Sequence, residues 1–323
     1  MILLLSSDGD YSTERIVQWL RYYQYTDYLR LSPLDFIECP IDINPREGLF
    51  NVRGKEFDFG SIKVVWYRRF GGYTFSGHFN DVKEKISEKT AELLKNELNN
   101  ITDFFISLIP AVPIIGSTRK NNTNKLIELY KAQQAGLNVP FTMVTSKKAS
   151  IERMTKEHAN LISKSAFNAR PISYEDKVYT MFTAQLTEQD MVVIPDSFFP
   201  SLIQEEVKKD YEIRVFYYLG KLYNMAIISQ NNPQTRIDFR RYDTHTPNRF
   251  IPCEIDKETK EKIVTFMNSM DLNIGSLDFV KGIDGKLYFL EVNYMGQFGM
   301  VDIPCNYGIH KYITNHLISL DSK

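Results

Sequence analysis

LDFVKGIDGKLYFLEVNYMGQFG, residues Leu277 to Gly299, is the stretch around which the rest of the chain is read. Two alternating runs flank Asp284-Gly285, a dipeptide suited to a two-residue β-hairpin turn. With those two residues as the loop, Ile283 pairs with Lys286 and Asp278 comes to lie directly across from Glu291. Opposed side chains in such a pair have Cβ atoms about 5 Å apart, and the period of two returns Asn293 to the face of Glu291. Two carboxylates and an amide oxygen then converge on a strand pair that is otherwise apolar. Unpaired carboxylates so close repel each other and are costly to bury, so a cation between them explains the set. An all-oxygen set suits magnesium or manganese rather than zinc. A solvent-facing polar stripe on an edge hairpin is the other reading of the same residues.

Length and composition bound the rest. With 323 residues, 43% of them hydrophobic and 24% charged, the chain is a globular protein large enough for two or three domains. The formal net charge of −1 argues against a broad nucleic-acid footprint, though not against a local phosphate site. Cys39, Cys253 and Cys305 match neither a zinc spacing nor a disulfide framework, so a reducing cytoplasmic compartment is expected. MILLLSSDGD at the start does not read as a signal peptide. No stretch approaches the run of about eighteen apolar residues that a membrane helix needs.

In chain order, Met1 to Leu5 reads as a strand, and a helix capped by Ser12 or Thr13 runs through Ile16, Val17, Trp19, Leu20 and Tyr23. Tyr28 to Leu31 is the next strand, which opens an α/β layer with parallel pairing. Asn44-Pro45, Gly48, Gly54 and Gly60 break the segment after it into hairpins or loops. Val64 to Tyr67 leads into Arg68-Arg69, whose side chains point to opposite faces if extended, so only one enters any given cleft. That pair reads either as a solvated strand end or as a clamp for an anion or carboxylate. Asp81 to Leu108 is a long amphipathic helical region, and a new unit begins near Arg119. There Thr123 to Gln134 is helical, and Val139 to Val144, Tyr179 to Leu186 and Met191 to Ile194 are strand candidates. Arg236, Asp238, Arg240 and Arg241 form a charged cluster. Lys257 to Met270 is a helix with Ile263, Phe266, Met267 and Met270 on its apolar side. A last amphipathic helix reaches about Leu320.

The ordered set NTNKLIELYKAQQAGLNVPFT, LISKS, LIQEEV, EIRVFYYLGKLY and SLDF…LEVNYMGQFG resembles the ATP-grasp superfamily of carboxylate–amine or carboxylate–alcohol ligases, over about residues 119 to 300. More narrowly, STERIVQWLRYY, VVWYRRFGG, RIDFRRYD and NYMGQFGMVDIPCNYG are similar to graspetide maturases of the grasp-with-spasm branch, which build side-chain macrocycles in ribosomal peptides. The resemblance implies an α/β (α+β) ATP-grasp fold whose later domains sandwich ATP. Its parts would be an N-terminal pre-ATP-grasp α/β domain at 1–118, a central subdomain at 119–206 and a C-terminal subdomain with a metal site at 207–323.

Residue by residue, the resemblance puts Lys125 and Lys164 on the nucleotide phosphates and the backbone of Gln204, Glu205, Glu206 and Val207 along the adenine. Glu212 would reach the ribose or an adjacent polar group, with a plain surface role as the alternative. Arg214 would face the phosphates or the incoming carboxylate, and Arg240, with Arg241 second to it, would support phosphoryl transfer. Asp278, Glu291 and Asn293 would hold Mg²⁺, two ions as a rule, with Mn²⁺ as an alternative. Arg68 and Arg69 join the catalytic candidates, and Asp238 is the one candidate general base. ATP would convert an Asp or Glu side chain of the precursor to an acyl phosphate, which a Thr or Ser hydroxyl or a Lys amine attacks to give an ω-ester or ω-amide.

The expected partner is a ribosomally made precursor peptide, its leader on Ser146 to Asn160 and the β-rich stretch to Ile194; Gly296 to Gly299 would hold the acceptor part near the acyl phosphate. A homodimer is left open, and neither nucleic acid nor membrane is expected as a partner. Two departures stand out: LISKSAFNARP has no glycine where a glycine-rich lid is usual, and the five histidines do not cluster. The competing readings are a RimK-like ligase adding a free amino acid to a peptide or glutamate, and a non-catalytic nucleotide-sensing or peptide-binding protein on the same scaffold.

Overall fold

The apolar run Ile2–Ser6 forms β1 and is buried at every position, as an inner strand of a parallel sheet requires. The computed structural model describes residues 1–70, 77–116, 124–166, 172–174, 177–179, 183–229 and 248–322. Its contacts divide the chain into two units, Met1–Lys120 with Gln297–Lys323, and Asn121–Gly296. In the first unit α1 (Tyr11–Tyr22) leads from β1 to β2 (Tyr28–Leu31), which pairs with β1 in parallel. The helix is capped neither by Ser12 nor by Thr13. Asp10 is the cap, its Oδ2 accepting from Thr13 N at 3.0 Å. Thr13 Oγ1 donates to the same carboxylate at 2.8 Å and accepts from Trp66 Nε1 at 3.0 Å.

Helix α2 (Asp35–Glu38) precedes a three-stranded antiparallel sheet of β3 (Ile41–Asn44), β4 (Leu49–Val52) and β5 (Lys55–Asp58), with the breaks at Gly48 and Gly54 as its turns. Next, β6 (Val64–Arg68) returns beside β1, and α3 (Gly77–Lys85) and α4 (Glu88–Ser107) lead to β7 (Ile114–Ile115). The parallel sheet has the order β2-β1-β6-β7. Its order reverses between β1 and β6, and ligand crevices of such sheets lie at the strand ends there. Those ends carry Asp10 and Arg68. Phe36, Phe50, Phe59 and Phe105 fill the core below, with Phe50 and Phe105 edge to face at 5.1 Å. Each such ring contributes about 1.5–3 kcal/mol by burial.

In the second unit α5 (Lys125–Gln134) is capped by Asn124. After it come β8 (Thr142–Lys147), α6 (Lys148–Glu157), β9 (Leu161–Lys164), β10 (Ile172–Tyr174), β11 (Lys177–Tyr179), β12 (Ala184–Gln185), α7 (Glu188–Val193) and β13 (Ser197–Glu205). Four of these strands form a sheet in the order β12-β9-β13-β8, and β10-β11 is a separate hairpin. The expected strand at Met191 to Ile194 is instead the end of α7 and its cap. A capping box decides it: Asp190 N donates to Thr187 Oγ1 at 3.2 Å while Thr187 N donates to Asp190 Oδ2 at 2.8 Å.

The larger sheet holds β14 (Lys209–Tyr218), β15 (Lys221–Ile228), β16 (Arg249–Pro252) and, after α8 (Lys257–Ser269), β17 (Ile274–Gly282) and β18 (Leu287–Asn293), in the order β16-β15-β14-β17-β18. On one face, Leu129 and Ala132 of α5 and Ile263, Phe266 and Met267 of α8 pack with Val215, Leu277, Phe279 and Phe289. The chain then rejoins the first unit as α9 (Gly299–Cys305) and α10 (Ile309–Asp321). Among the described residues no helix is long and apolar enough to cross a membrane.

Candidate active site

The hairpin of β17 and β18 pairs Asp278 with Glu291, but not by the expected turn. Gly282 N donates to Lys286 O at 2.9 Å, so the loop is Ile283-Asp284-Gly285, one residue longer than predicted. Gly285 supplies the left-handed backbone, φ 79°, that such a loop ends on. Asp284 ties the loop down by accepting from Tyr288 Oη at 2.8 Å and Lys286 N at 3.1 Å. The Tyr288 bond and then the Lys286 bond hold this carboxyl below its ordinary value. Burial, and then Asp284, push the Tyr288 phenol up to about 12. The longer loop would set Asp278 against Leu290. A bulge between Phe289 and Glu291 restores the pairing, because Phe279 pairs with Phe289 and Asp278 with Glu291. Phe289 and Val292 therefore both face the core, and Glu291 and Asn293 share the other face. Re-aiming a side chain in this way is a common use of bulges near functional sites.

On β14, Arg214 pairs with Asp278 from the opposite side. Arg214, Asp278 and Glu291 thus form one row across three adjacent strands. Arg214 Nη1 donates to both Asp278 oxygens, at 3.0 and 3.1 Å. At the far end of the row Lys125, the first residue of α5, puts Nζ 2.9 Å from Glu291 Oε2. Two cations bracket two carboxylates. The side chain of Arg214 is 6% exposed, while those of Asp278 and Glu291 keep 19% and 27%, so the acidic pair stays accessible.

The groups along the row are those an Mg²⁺–nucleotide calls for. Arg214 Nε and Nη2 are buried without a hydrogen-bond partner among the described residues. Unpaired buried N–H groups are costly, and a phosphate oxyanion is what a guanidinium fork suits. Among the described residues no three of His, Cys, Asp and Glu group as a metal site. Asn293, whose Oδ1 accepts from Met295 N at 3.0 Å, is the further oxygen beside the pair, and phosphate oxygens complete such shells in nucleotide sites. The residues fit the group.

The remaining candidates of the second unit lie on β9, β13 and β14 and just after β13. Lys164 ends β9 opposite Leu202 of β13. The hinge side chains are taken up by the scaffold: Gln204 Nε2 donates to Thr142 Oγ1 at 2.7 Å, and Gln185 Nε2 donates to Glu206 Oε2 at 3.2 Å. Glu205 accepts from Phe141 N at 2.9 Å and lies 2.8 Å from His158 Nδ1, while the His158 ring stacks on Phe141 at 4.7 Å. Backbone N–H groups of Glu205 and Glu206 donate to Phe141 O and Asn160 O, each at 2.9 Å, which leaves Val207 N as the next donor along the chain. Glu212 is not a surface residue. It is buried, 2.7 Å from Lys209 Nζ and 3.0 Å from Ser229 Oγ. Gly296 has φ 57°, and a Cβ there would come within 3.0 Å of Ile274 and 3.2 Å of Phe216, so close packing already requires glycine.

In the first unit Arg68 is a buried counter-ion. Its Nε donates to both Asp10 oxygens, at 2.9 and 3.1 Å, and its guanidinium lies 5.5 Å from the Phe298 ring centroid. Desolvation by burial, only partly offset by Asp10 and reinforced by Arg69, lowers its pKa. Arg69 adopts φ 52° at the end of the strand. Asp238, Arg240 and Arg241 lie outside the described residues, as do 167–170 of the expected lid. Two residues escaped the sequence reading: His158, and Glu128, which is 1% exposed and accepts from Val292 N at 3.1 Å. For Glu128 a signal existed, since it sits one helical turn after Lys125.

Neither a protein-family model nor a curated protein matches the chain. Solved structures do. The RiPP-associated ATP-grasp ligase of Chryseobacterium gregarium, in complex with ADP and a leader and core peptide, is 20% identical with a TM-score of 0.83, over 98% of this chain and 96% of that one. Macrocyclase MdnC of Microcystis aeruginosa MRC, bound with precursor peptide MdnA, is 19% identical with a TM-score of 0.80, over 99% of each chain. The ATP-grasp ligase PsnB, complexed with minimal precursor, Mg and ADP, is 18% identical with a TM-score of 0.76, over 100% of this chain and 98% of that one. Near-complete coverage on both sides leaves one conclusion about architecture: the chain has the ATP-grasp fold.

Proposed function

We propose that the protein is an ATP-dependent ligase that closes side-chain macrocycles in a ribosomally made precursor peptide. The observation that carries the reading is the row Arg214–Asp278–Glu291 with Lys125 at its end, a phosphate-binding edge joined to a hard-cation edge. Lys125, Lys164 and the Arg214 N–H groups that have no partner among the described residues bind the nucleotide phosphates. Asp278, Glu291 and Asn293 hold the Mg²⁺, which when bound neutralises charge on the phosphoryl oxygens. Val207 N and the hinge carbonyls border the adenine, and Glu212 the ribose. An Asp or Glu carboxylate of the peptide takes the γ-phosphoryl group, releasing ADP. A Thr or Ser hydroxyl or a Lys amine of the same peptide then attacks the carbonyl, and phosphate leaves. Arg214 stabilises the oxyanion of that second step, with Arg240 as a further candidate and Asp238 as the base.

Peptide binding is supported by exposed apolar side chains in the region expected for the leader. Val178, Val192 and Val193 are 68–80% exposed, and three large apolar side chains so open to water are candidates for contact with a partner. An amphipathic or extended leader suits such a surface. Incubation with ATP, Mg²⁺ and the precursor encoded beside the gene is the test. Products lighter by one water per ring are expected. Products heavier by one amino-acid residue would support a RimK-like ligase, and intact ATP binding without turnover a non-catalytic role.

A further inference from the structure

We infer that Glu128 is a positioning residue, a clip that sets the phosphate lysine against the metal-ligand strand; this rests on the nucleotide reading of the site. Among the described residues β18 is the last strand of its sheet, so every second backbone N–H faces away from β17 with no described strand to receive it. Two acceptors from one stretch of chain take their place. Asn138 O, just beyond α5, accepts from Phe289 N at 2.8 Å, and Glu128 Oε2 of α5 accepts from Val292 N at 3.1 Å. In a regular strand, Phe289 and Glu291 would be the outward-facing donors. The bulge after Phe289 makes Val292 the second one, which turns the Glu291 side chain toward the cation row and leaves its neighbour's N–H for Glu128.

The clip is buried, with Glu128 at 1% exposure. Lys125 and Glu128 stand three residues apart on α5, hence on one side of the helix. The same face therefore presents a carboxylate to the backbone of Val292 and an ammonium to the side chain of Glu291, 2.9 Å away. A single helix face thus spaces the phosphate-binding and metal-binding ends of the row. Losing the clip frees the N-terminal turn of α5 to shift along the strand edge, and the two ends lose register.

Calorimetric titration with ADP, with and without Mg²⁺, separates this role from mere support of the fold. In the wild-type protein we expect Mg²⁺ to tighten ADP binding. In Glu128→Ala, checked for folding by circular dichroism, we expect Mg²⁺·ADP affinity to fall about tenfold, the loss of one charge-assisted hydrogen bond, and the Mg²⁺ enhancement to shrink. Glu128→Gln keeps an acceptor for Val292 N and restores the enhancement. A purely structural role would lower the melting temperature and leave the ratio of the two affinities unchanged, which overturns the clip. So does a Glu128→Gln variant as impaired as Glu128→Ala. Should the alanine variant fail to fold, the glutamine variant and a conservative Glu128→Asp, whose shorter arm cannot hold the same spacing, decide the question. A wild-type protein that binds no ADP refutes the nucleotide reading itself, an outcome distinct from loss of the clip.

Discussion

Lys125 Nζ and Glu291 Oε2 lie 2.9 Å apart, so the lysine proposed for the nucleotide phosphates is the counter-ion of a carboxylate proposed for the metal. Arg214 and Asp278 repeat the arrangement at 3.0 Å. The row is internally neutral, which is why two carboxylates directly opposed on a hairpin do not repel the strands apart. On the proposed function, binding of Mg²⁺·nucleotide would be an exchange of partners: the cations would pass to phosphate, and the carboxylates to the metal. Each ligand alone has to break an ion pair without replacing it. We expect Mg²⁺ and ADP to bind with positive coupling of about 5–150-fold, the usual range for linked sites. Titrating each in the presence and absence of the other measures it, and Mg²⁺ affinity indifferent to ADP would contradict the exchange.

Arg214 has an ion pair with Asp278 and a proposed part in catalysis, which different substitutions separate. Arg214→Met removes the Arg214 ion pair from the partly exposed Asp278 and should cost about 3 kcal/mol of stability, the lower end for a broken buried pair. Arg214→Lys keeps a charge for Asp278 but loses the fork, and with it the donors that have no partner among the described residues. Its stability should lie close to wild type while turnover falls about 10²–10³-fold, as when an oxyanion donor is removed. Urea denaturation and steady-state rates, read together, check both. A lysine variant with wild-type turnover would remove the fork from the mechanism.

Adjacent arginines at the end of β6 should behave differently. Arg68 and Asp10 form a buried pair at 2.9 Å, both side chains under 5% exposed, and Asp10 also caps α1. Arg68→Ala is expected to destabilise the first unit by about 3–5 kcal/mol, so its loss of activity would be indirect. Arg69→Ala should leave thermal stability and ADP binding near wild type and reduce cyclisation. Melting curves of both variants, with peptide product measured by mass, would show the contrast. Equal melting temperatures for the two would contradict it.

Acid sensitivity in the first unit should centre on Asp302. Burial alone would raise its carboxyl, but hydrogen bonds from the His310 side chain and from Ile309 N and His310 N, the backbone ones at 2.7 and 3.1 Å, outweigh it and hold the carboxyl below its ordinary value. A folded value below the unfolded one, about 3.9, means that the stabilisation is fully present above that value and is lost as pH falls through the folded one. Urea midpoints between neutral and acidic pH should therefore drop more steeply for the wild type than for Asp302→Asn. Parallel profiles would show that other groups govern the acid limb.

What the sequence made legible follows from how local each signal is. The α/β start, α8 and the opposed acids of the hairpin rest on periodicities and a turn dipeptide that act within a few residues. The hairpin pairing was reached through two offsets that cancel: the loop is one residue longer than Asp284-Gly285 alone, and the bulge adds the residue back on β18. Neighbouring apolar residues Phe289 and Leu290 before Glu291 were the trace of that bulge. At α7, the apolar run Met191-Val192-Val193 suggested a strand, although Thr187 and Asp190 carry a capping box. Arg68 was illegible for another reason, because its partner Asp10 meets it only when β1 and β6 pair across the sheet. Arg214 opposite Asp278 likewise depends on the order of β14 and β17, which no short-range pattern encodes.

The bulge itself permits a sharp test. Because Leu290 is the surplus residue, deleting it leaves Phe279 against Phe289, Asp278 against Glu291 and Leu277 against Val292, the pairs already present. It also keeps Phe289 and Val292 as the donors that face Asn138 and Glu128. The deletion should therefore fold and bind Mg²⁺·ADP nearly as the wild type does. Inserting one alanine between Leu290 and Glu291 has the opposite effect. A one-residue shift sends side chains to the other face of a strand, so Glu291 would turn toward the core and Val292 out of it. Burying that carboxylate without Lys125 costs several kcal/mol, and binding should be lost. Calorimetry on the two variants compares them directly, and a deletion as damaging as the insertion would show that the kink at Leu290, and not only the phase it restores, is required.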